Sequence, residues 1–150
     1  MYSEHRLVRC NCERFYTVVA DVHSYPKFVP GWIDVRVRPR NEHDLEVEQY
    51  LRIGPVRRWI RSHAVLEPPH RIRVRPVGVE AAGLDLEWRF GQRESGGCDV
   101  ALDVRGQASN ILLAMALDAL AEHAGQRFVD IFAARSQVID GLPCHPEPRA

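Results

Sequence analysis

Few side chains in this sequence stand where they could do chemistry. Gln49 is in phase with Val47 and Leu51 in an alternating segment, so its amide points inward. There an N–H could hold a ligand carbonyl, and an unmatched polar group would be costly. His63 could be paired with Glu67 or Asp85 as acid–base machinery, with Arg61 nearby, but their spacing fits a surface histidine better. Arg135 falls on the apolar side of a C-terminal helical run, where a salt bridge or snorkelling explains it better than ligand contact. Cys10, Cys12, Cys98 and Cys144 show no CxxC spacing and no HxxxH partner, which points away from zinc and thioredoxin-like chemistry. They read as reduced, small apolar fillers, and a reducing compartment follows. GxSxG, P-loop, HExxH and GxGxxG patterns are all missing. No catalytic residue and no metal ligand is assigned.

With 150 residues and 45% hydrophobic content, one domain can bury a core without disulfides or metals. Twenty basic and twenty acidic residues cancel, which argues against a simple nucleic-acid binder and against DNA as a partner. Carboxylates alternate with basic residues along the strands, as solvated cross-strand pairs do. No run approaches the roughly 20 apolar residues of a membrane span, and no signal-peptide core or Arg-rich leader is visible.

Residues 2 to 10 read as a first strand, and Asn11 caps a helix from Cys12 to about Ala20 with Phe15, Val18, Val19 and Val22 on its buried stripe. The elbow Tyr25-Pro26-Lys27-Phe28-Val29-Pro30 comes next, stiffened by prolines that push Tyr25 and Val29 toward extended backbone. Ile33, Val35 and Val37 then alternate with polar residues. So do Leu45 to Ile53, Leu84 to Phe90 and Cys98 to Val104, with further strands at 56–66 and 70–77. Turn residues between them imply antiparallel hairpins. From Ser109 to about Ile139 a proline-free stretch carries Leu113, Leu117, Leu120, Ala124, Phe128, Ile131 and Val138 on one helical face. Gly125 in mid-helix marks a possible bend. Residues 142–150 read as a disordered tail beyond a domain at 1–141. The fold class is α+β: a curved antiparallel sheet of about seven strands wrapped around a long C-terminal helix, leaving a wedge-shaped apolar cavity.

The N-terminal YSEHR, the FYTVVADVHSYPKFVP segment, Trp88-Arg89-Phe90 and Phe132-x-x-Arg135-Ser136 followed by Gly141 resemble the coenzyme Q-binding START-like family. They also resemble its sister, the bacterial ribosome-association toxin family, within the polyketide cyclase/dehydrase and lipid-transport group. The resemblance covers residues 2 to 141. It implies a helix-grip fold whose cavity binds ubiquinone or a related prenyl lipid without catalysis, in support of respiration or quinone biosynthesis, with no cofactor beyond that ligand. The toxin branch implies binding to the large ribosomal subunit, and the wider group includes polyketide cyclases or aromatases. Two departures stand out. Trp59, Arg61 and His63 occupy alternate positions where the family has an aromatic, a small and an apolar residue, and would make the pocket polar if they faced it. Gly78-Val79-Glu80-Ala81-Ala82 replaces a family aromatic.

The expected ligand-binding residues are Tyr25, Phe28, Val29 and Trp32 of the elbow; Val47, Gln49 and Leu51; Trp88 and Phe90; and Leu113, Leu117, Leu120 and Phe128 of the long helix. Each except Gln49 could equally be core. The elbow would be an exposed aromatic loop that gates the cavity and touches a membrane surface transiently. Under the ribosome alternative, Arg36, Arg38, Arg40, Arg57, Arg58 and Arg61 would contact phosphates. The expected location is the cytoplasm, peripheral to the inner membrane, in a bacterium, or the mitochondrion in a eukaryote.

Overall fold

Alternation shapes the middle of the chain, and the computed structural model, which describes residues 1–78 and 81–149, turns it into one sheet. Val79 and Glu80, part of the loop without the family aromatic, lie outside the described residues. The order is β1 (Tyr2–Arg9), α1 (Cys12–Ala20), a 3-10 helix (Val22–Lys27), β2 (Trp32–Pro39), β3 (Asp44–Ile53), β4 (Val56–Glu67), β5 (Arg71–Pro76), β6 (Gly83–Gln92), β7 (Cys98–Gln107), α2 (Ile111–Asp140) and β8 (His145–Pro146). The strands lie in the order β2-β3-β4-β5-β6-β7-β1-β8, and every pairing is antiparallel.

Both helices begin where side-chain caps satisfy free amides. Asn11 accepts from the Glu13 N–H at 2.8 Å, and Asn110 accepts from the Leu113 N–H at 3.1 Å. Gly141, at φ 72°, ends α2 in the left-handed region that favours glycine. At 30 residues, α2 is about 45 Å long and crosses the sheet.

Two glycines decide how closely it does so. A Cβ on Gly106 of β7 would lie 2.3 Å from the Asp118 backbone nitrogen and 2.4 Å from the Leu117 carbonyl carbon. The Gly106 N–H also donates to the Asp118 carboxylate at 3.1 Å. Gly125, expected at a bend, instead admits the ring of Tyr2, which a Cβ there would meet at 2.8 Å. The helix is thus seated against β7 and β1.

Several expectations are corrected. Pairing shifts register between Trp32 and Asp34, so Ile33 is pushed outward to 38% exposure while Trp32 and Val35 both face the core. A bulge does this by inserting one unpaired residue, which breaks simple alternation. Tyr25 is not extended, because the 3-10 helix runs through Pro26, with the Phe28 and Val29 amides donating to the Tyr25 carbonyl. Val138 is 74% exposed, while Ser136 of the same turn is buried, so the last turn presents a different face to the domain.

The supposed disordered tail is a packed strap. β8 pairs with β1, the Glu147 N–H donates to the Leu7 carbonyl at 2.8 Å, and Cys144 is fully buried. This makes eight strands where about seven were expected. Cys12 and Cys98 are not reduced fillers but a disulfide. The register sets Val8 opposite Cys98, and α1 starts just past the end of β1, which brings together residues 86 apart in sequence. Cys10 and Cys144 remain buried thiols.

Replacing Gly106 by Ala should therefore destabilise the fold by more than about 3 kcal/mol, because the neighbours are backbone atoms that cannot change rotamer. Gly91→Ala, whose Cβ would meet only the Asp99 Cβ at 3.9 Å, should cost less than about 1 kcal/mol. Urea unfolding of both variants checks this.

Candidate functional site

With α2 seated on β7 and β1, a cavity is left where the helix rises off the other strands. Its walls are Val19, Ala20 and Val22 at the end of α1; Tyr25; Trp32 of β2; Leu45, Val47 and Gln49 of β3; Ala64 and Leu66 of β4; Ile72 and Val74 of β5; Leu86 and Trp88 of β6; and Phe128 and Phe132 of α2. Its volume is about 40 Å³, on a scale where one water needs roughly 10–15 Å³. As it stands, the space is narrow and almost wholly apolar.

Aromatic rings hold it shut. Phe132 meets Tyr25 at 5.1 Å, Phe28 at 5.6 Å, Trp88 at 5.6 Å and Phe128 at 5.8 Å between centroids. Tilted and edge-on pairs of this kind add to simple area burial. The Tyr25 hydroxyl donates to the Val19 carbonyl, and burial pushes its pKa well above the ordinary phenol range. The phenol therefore stays neutral and ties the 3-10 helix to α1.

Among the cavity walls, Gln49 offers the one amide. The Trp32 indole N–H donates to Gln49 Oε1 at 2.6 Å. Because an indole nitrogen can only donate, this contact fixes which way the amide is turned. Gln49 Nε2 then remains on the wall as a hydrogen-bond donor. Ser62 Oγ, on the inner face of β4, and the Tyr16 hydroxyl, under Phe90, are buried without a hydrogen-bond partner among the described residues. Burial raises the pKa of Tyr16 to about 12.

Of the residues expected at the site, Tyr25, Trp32, Val47, Gln49, Trp88 and Phe128 meet around this cavity. Phe28 packs one layer behind, against Phe132, and Val29 is core. Leu51 is fully buried beside Trp32 in the register. Phe90 packs under α1 against Phe15 and Tyr16. Leu117 is buried at the Gly106 contact, and Leu113 and Leu120 are half-buried outside the cavity. The elbow is not an exposed aromatic loop, since Val29 and Trp32 are buried and Tyr25 and Phe28 lie on Phe132. Helix α2 instead exposes Ile111, Leu112 and Met115 in its first turns.

Sequence reasoning missed the walls contributed by Val19, Ala20, Val22, Leu45, Ala64, Leu66, Ile72, Val74, Leu86 and Phe132. The strand residues among them share the inward phase of Gln49 across the register, a signal that pairing the hairpins would have exposed.

The polar residues placed provisionally on the wall face away from it. Ile60, Ser62, Ala64 and Leu66 turn inward, so Trp59, Arg61 and His63 are on the convex side. His63 Nε2 lies 3.8 Å from Asp44 there, not on Glu67 or Asp85. The Arg36 guanidinium sits 4.5 Å over the Trp59 ring. Cross-strand ion pairs such as Arg73–Asp85 at 3.8 Å and Arg89–Asp103 at 3.3 Å cover the same face. Among the described residues Arg135 has no salt-bridge partner; its guanidinium lies 4.9 Å over Phe28. Among the described residues no cluster of three or more His, Cys, Asp or Glu side chains could hold a metal, and no helix is long and apolar enough to cross a membrane.

A curved antiparallel sheet gripping one long C-terminal helix around an apolar cavity is the helix-grip architecture of START-like proteins. Residues 10–133 match the family model "Polyketide cyclase / dehydrase and lipid transport", and the chain belongs to that family. No curated protein matches its sequence. The ZhuI aromatase/cyclase from Streptomyces sp. R1128 superposes with a TM-score of 0.78 at 16% identity, over 95% of this chain and 97% of that one. A STAR-related lipid transfer protein fragment from Xanthomonas axonopodis gives 0.69 at 11%, over 90% and 84%. Norcoclaurine synthase from Thalictrum flavum gives 0.66 at 8%, over 92% and 94%. These likenesses establish the fold. They also correct the expectation of a non-enzyme, because aromatase/cyclases and a synthase stand among the similar structures.

Phe132→Ala should cost about 3–5 kcal/mol, as large-to-small changes at fully buried aromatics do. It should also loosen the elbow, read as faster amide exchange at Phe28 and Val29 than in the wild type at equal denaturant distance from the midpoint.

Proposed function

We propose that the cavity binds a hydrophobic molecule carrying a ring carbonyl, with ubiquinone or a related prenylquinone as the ligand class. The observation that carries this reading is Gln49: its carbonyl is taken by Trp32, and its amide N–H group lies on an otherwise apolar, aromatic wall. A carbonyl oxygen matches that donor, and a flat ring matches Trp32, Trp88, Phe128 and Phe132. The space is narrow, about 40 Å³, so a ring must part the walls to enter, and the 3-10 helix and elbow that rest on Phe132 are the segment expected to give way. Burying roughly 400 Å² of apolar ligand at about 25 cal/mol per Å² contributes at most about 10 kcal/mol. Ordering and translational costs remove half or more. Micromolar or tighter binding is the expected outcome.

The test is quenching of tryptophan fluorescence by a short-chain ubiquinone bearing two isoprene units. Wild-type protein should bind it at micromolar concentration or below. Gln49→Leu should weaken binding about tenfold, the value of one hydrogen bond, while leaving an alkylbenzene without carbonyls unaffected. Absence of saturable quenching would overturn the reading.

A second reading, cyclisation of a linear poly-β-ketone, is favoured by the family match and by the likeness to the aromatase/cyclase. The polar atoms that the cavity walls carry belong to Gln49, Trp32 and Tyr25. Such a reaction would therefore depend on orienting the chain between aromatic walls. Incubation with a nascent poly-β-ketone should then give one ring pattern; the same product mixture with and without protein would exclude it.

A further inference from the structure

At the far end of α2 from its first turns lies a group of side chains that the cavity does not use. Cys10, in the turn after β1, and Cys144, on the strap before β8, are both buried, 4% and 1% exposed. The antiparallel register of β8 on β1, with Val8 opposite Pro146 and Arg9 opposite His145, brings Cys144 opposite Cys10, and Cys10 Sγ lies 4.0 Å from Ser136 Oγ.

The strap is held on both sides of Cys144. On one side the Arg14 guanidinium donates to the Asp140 carboxylate at 2.7 and 2.8 Å, to the Leu142 carbonyl at 3.1 Å and to the Pro143 carbonyl at 3.1 Å. On the other side His145 and Pro146 pair with Arg9 and Val8, and the Arg6 guanidinium donates twice to the Glu147 carbonyl, at 2.8 and 3.1 Å. Residue 144 is therefore fixed in place by contacts that do not involve its own side chain. Two sulfurs so held meet as an intramolecular pair, for which closure carries little further entropic cost.

We infer that Cys10 and Cys144 form a dithiol that a small hydroperoxide oxidises to a second disulfide, fastening the strap to the junction of β1 and α1. Cys10 is the attacking sulfur. The charged groups facing it are Arg14 of α1, which favours its thiolate, and Asp140 at the end of α2, which opposes it. A hydrogen bond from the Cys144 thiol, more than these charges, brings its pKa down to about 7 against the effect of burial, while the same contact and burial push Cys144 upward. The Cys10 thiolate attacks one peroxide oxygen, the O–O bond breaks, and the departing hydroxide takes up a proton as water, leaving a sulfenic acid. The Cys144 sulfur then attacks the Cys10 sulfur. The S–O bond breaks, and the hydroxyl leaves as water with the Cys144 proton. One peroxide is reduced by two electrons and two thiols become one disulfide. Cys10 is only 4% exposed, which favours a small oxidant such as peroxide over a bulky disulfide.

The experiment treats the full chain with one equivalent of hydrogen peroxide and maps its peptides without reduction. The expected result is a loss of two hydrogens, a Cys10–Cys144 linked peptide, an unchanged Cys12–Cys98 link, and slower proteolysis of residues 142–149. In Cys144→Ser, dimedone should trap a sulfenic acid at Cys10; in Cys10→Ser, oxidation of Cys144 should be at least tenfold slower. Links between chains, first oxidation at Cys144, or free thiols that survive peroxide in the folded wild type would each overturn the inference. The wild-type mapping decides the matter even where a serine variant folds poorly. None of these results depends on what the cavity binds.

Discussion

The distance between α2 and the sheet governs the molecule, and it is set by glycine. Gly106 on β7 lets the helix backbone come within the reach of a missing methyl group, and Gly125 on α2 does the same for the ring of Tyr2 on β1. A rod about 45 Å long that is pressed against one side of a twisted sheet must stand off from the other side. Every sheet residue around the cavity comes from β2 to β6, with none from β7 or β1. Cavity and close contact are two ends of one constraint.

Inside and outside of the sheet divide the chemistry accordingly. The concave face carries apolar and aromatic side chains, with the Trp32–Gln49 pair and the Ser62 hydroxyl as its polar features. The convex face carries Arg, Asp and Glu in cross-strand pairs together with the stack of Arg36 on Trp59. Exposed pairs of this kind contribute little to stability, so the fold rests on the aromatic cluster around Phe132 and the packing of α2. The arrangement suits a ligand recognised by shape and one or two hydrogen bonds.

Elements with strong local signals were legible in the sequence. Asn11 marks the start of α1, the proline-free periodic stretch from Ser109 to about Ile139 marks α2, and the inward phase of Val47, Gln49 and Leu51 survives intact. The bulge at Ile33 was not legible, because alternation there looks regular until β3 is laid alongside. Neither was the fate of the last residues, whose polar and proline-rich composition resembles a loose end. Arg6, Arg14 and the edge of β1 organise them. The cavity lay between these extremes. Six of its sixteen wall residues were found, since periodicity says which side chains turn inward but not which of them the helix covers.

The sequence by itself determined the order of elements, the cap of α1 and the two faces of most strands, because each depends on residues within a few positions of one another. Tertiary structure alone decided that Cys12 meets Cys98, that β8 lies along β1 and so brings Cys144 opposite Cys10, and that Trp59, Arg61 and His63 face outward while Ile60, Ser62 and Ala64 face in. It also decided that Phe132 closes the cavity. The reason is register: a shift of one residue between neighbouring strands exchanges the two faces, and what fixes it is the burial of the whole inner face against a helix more than forty residues away from most of the strands it covers.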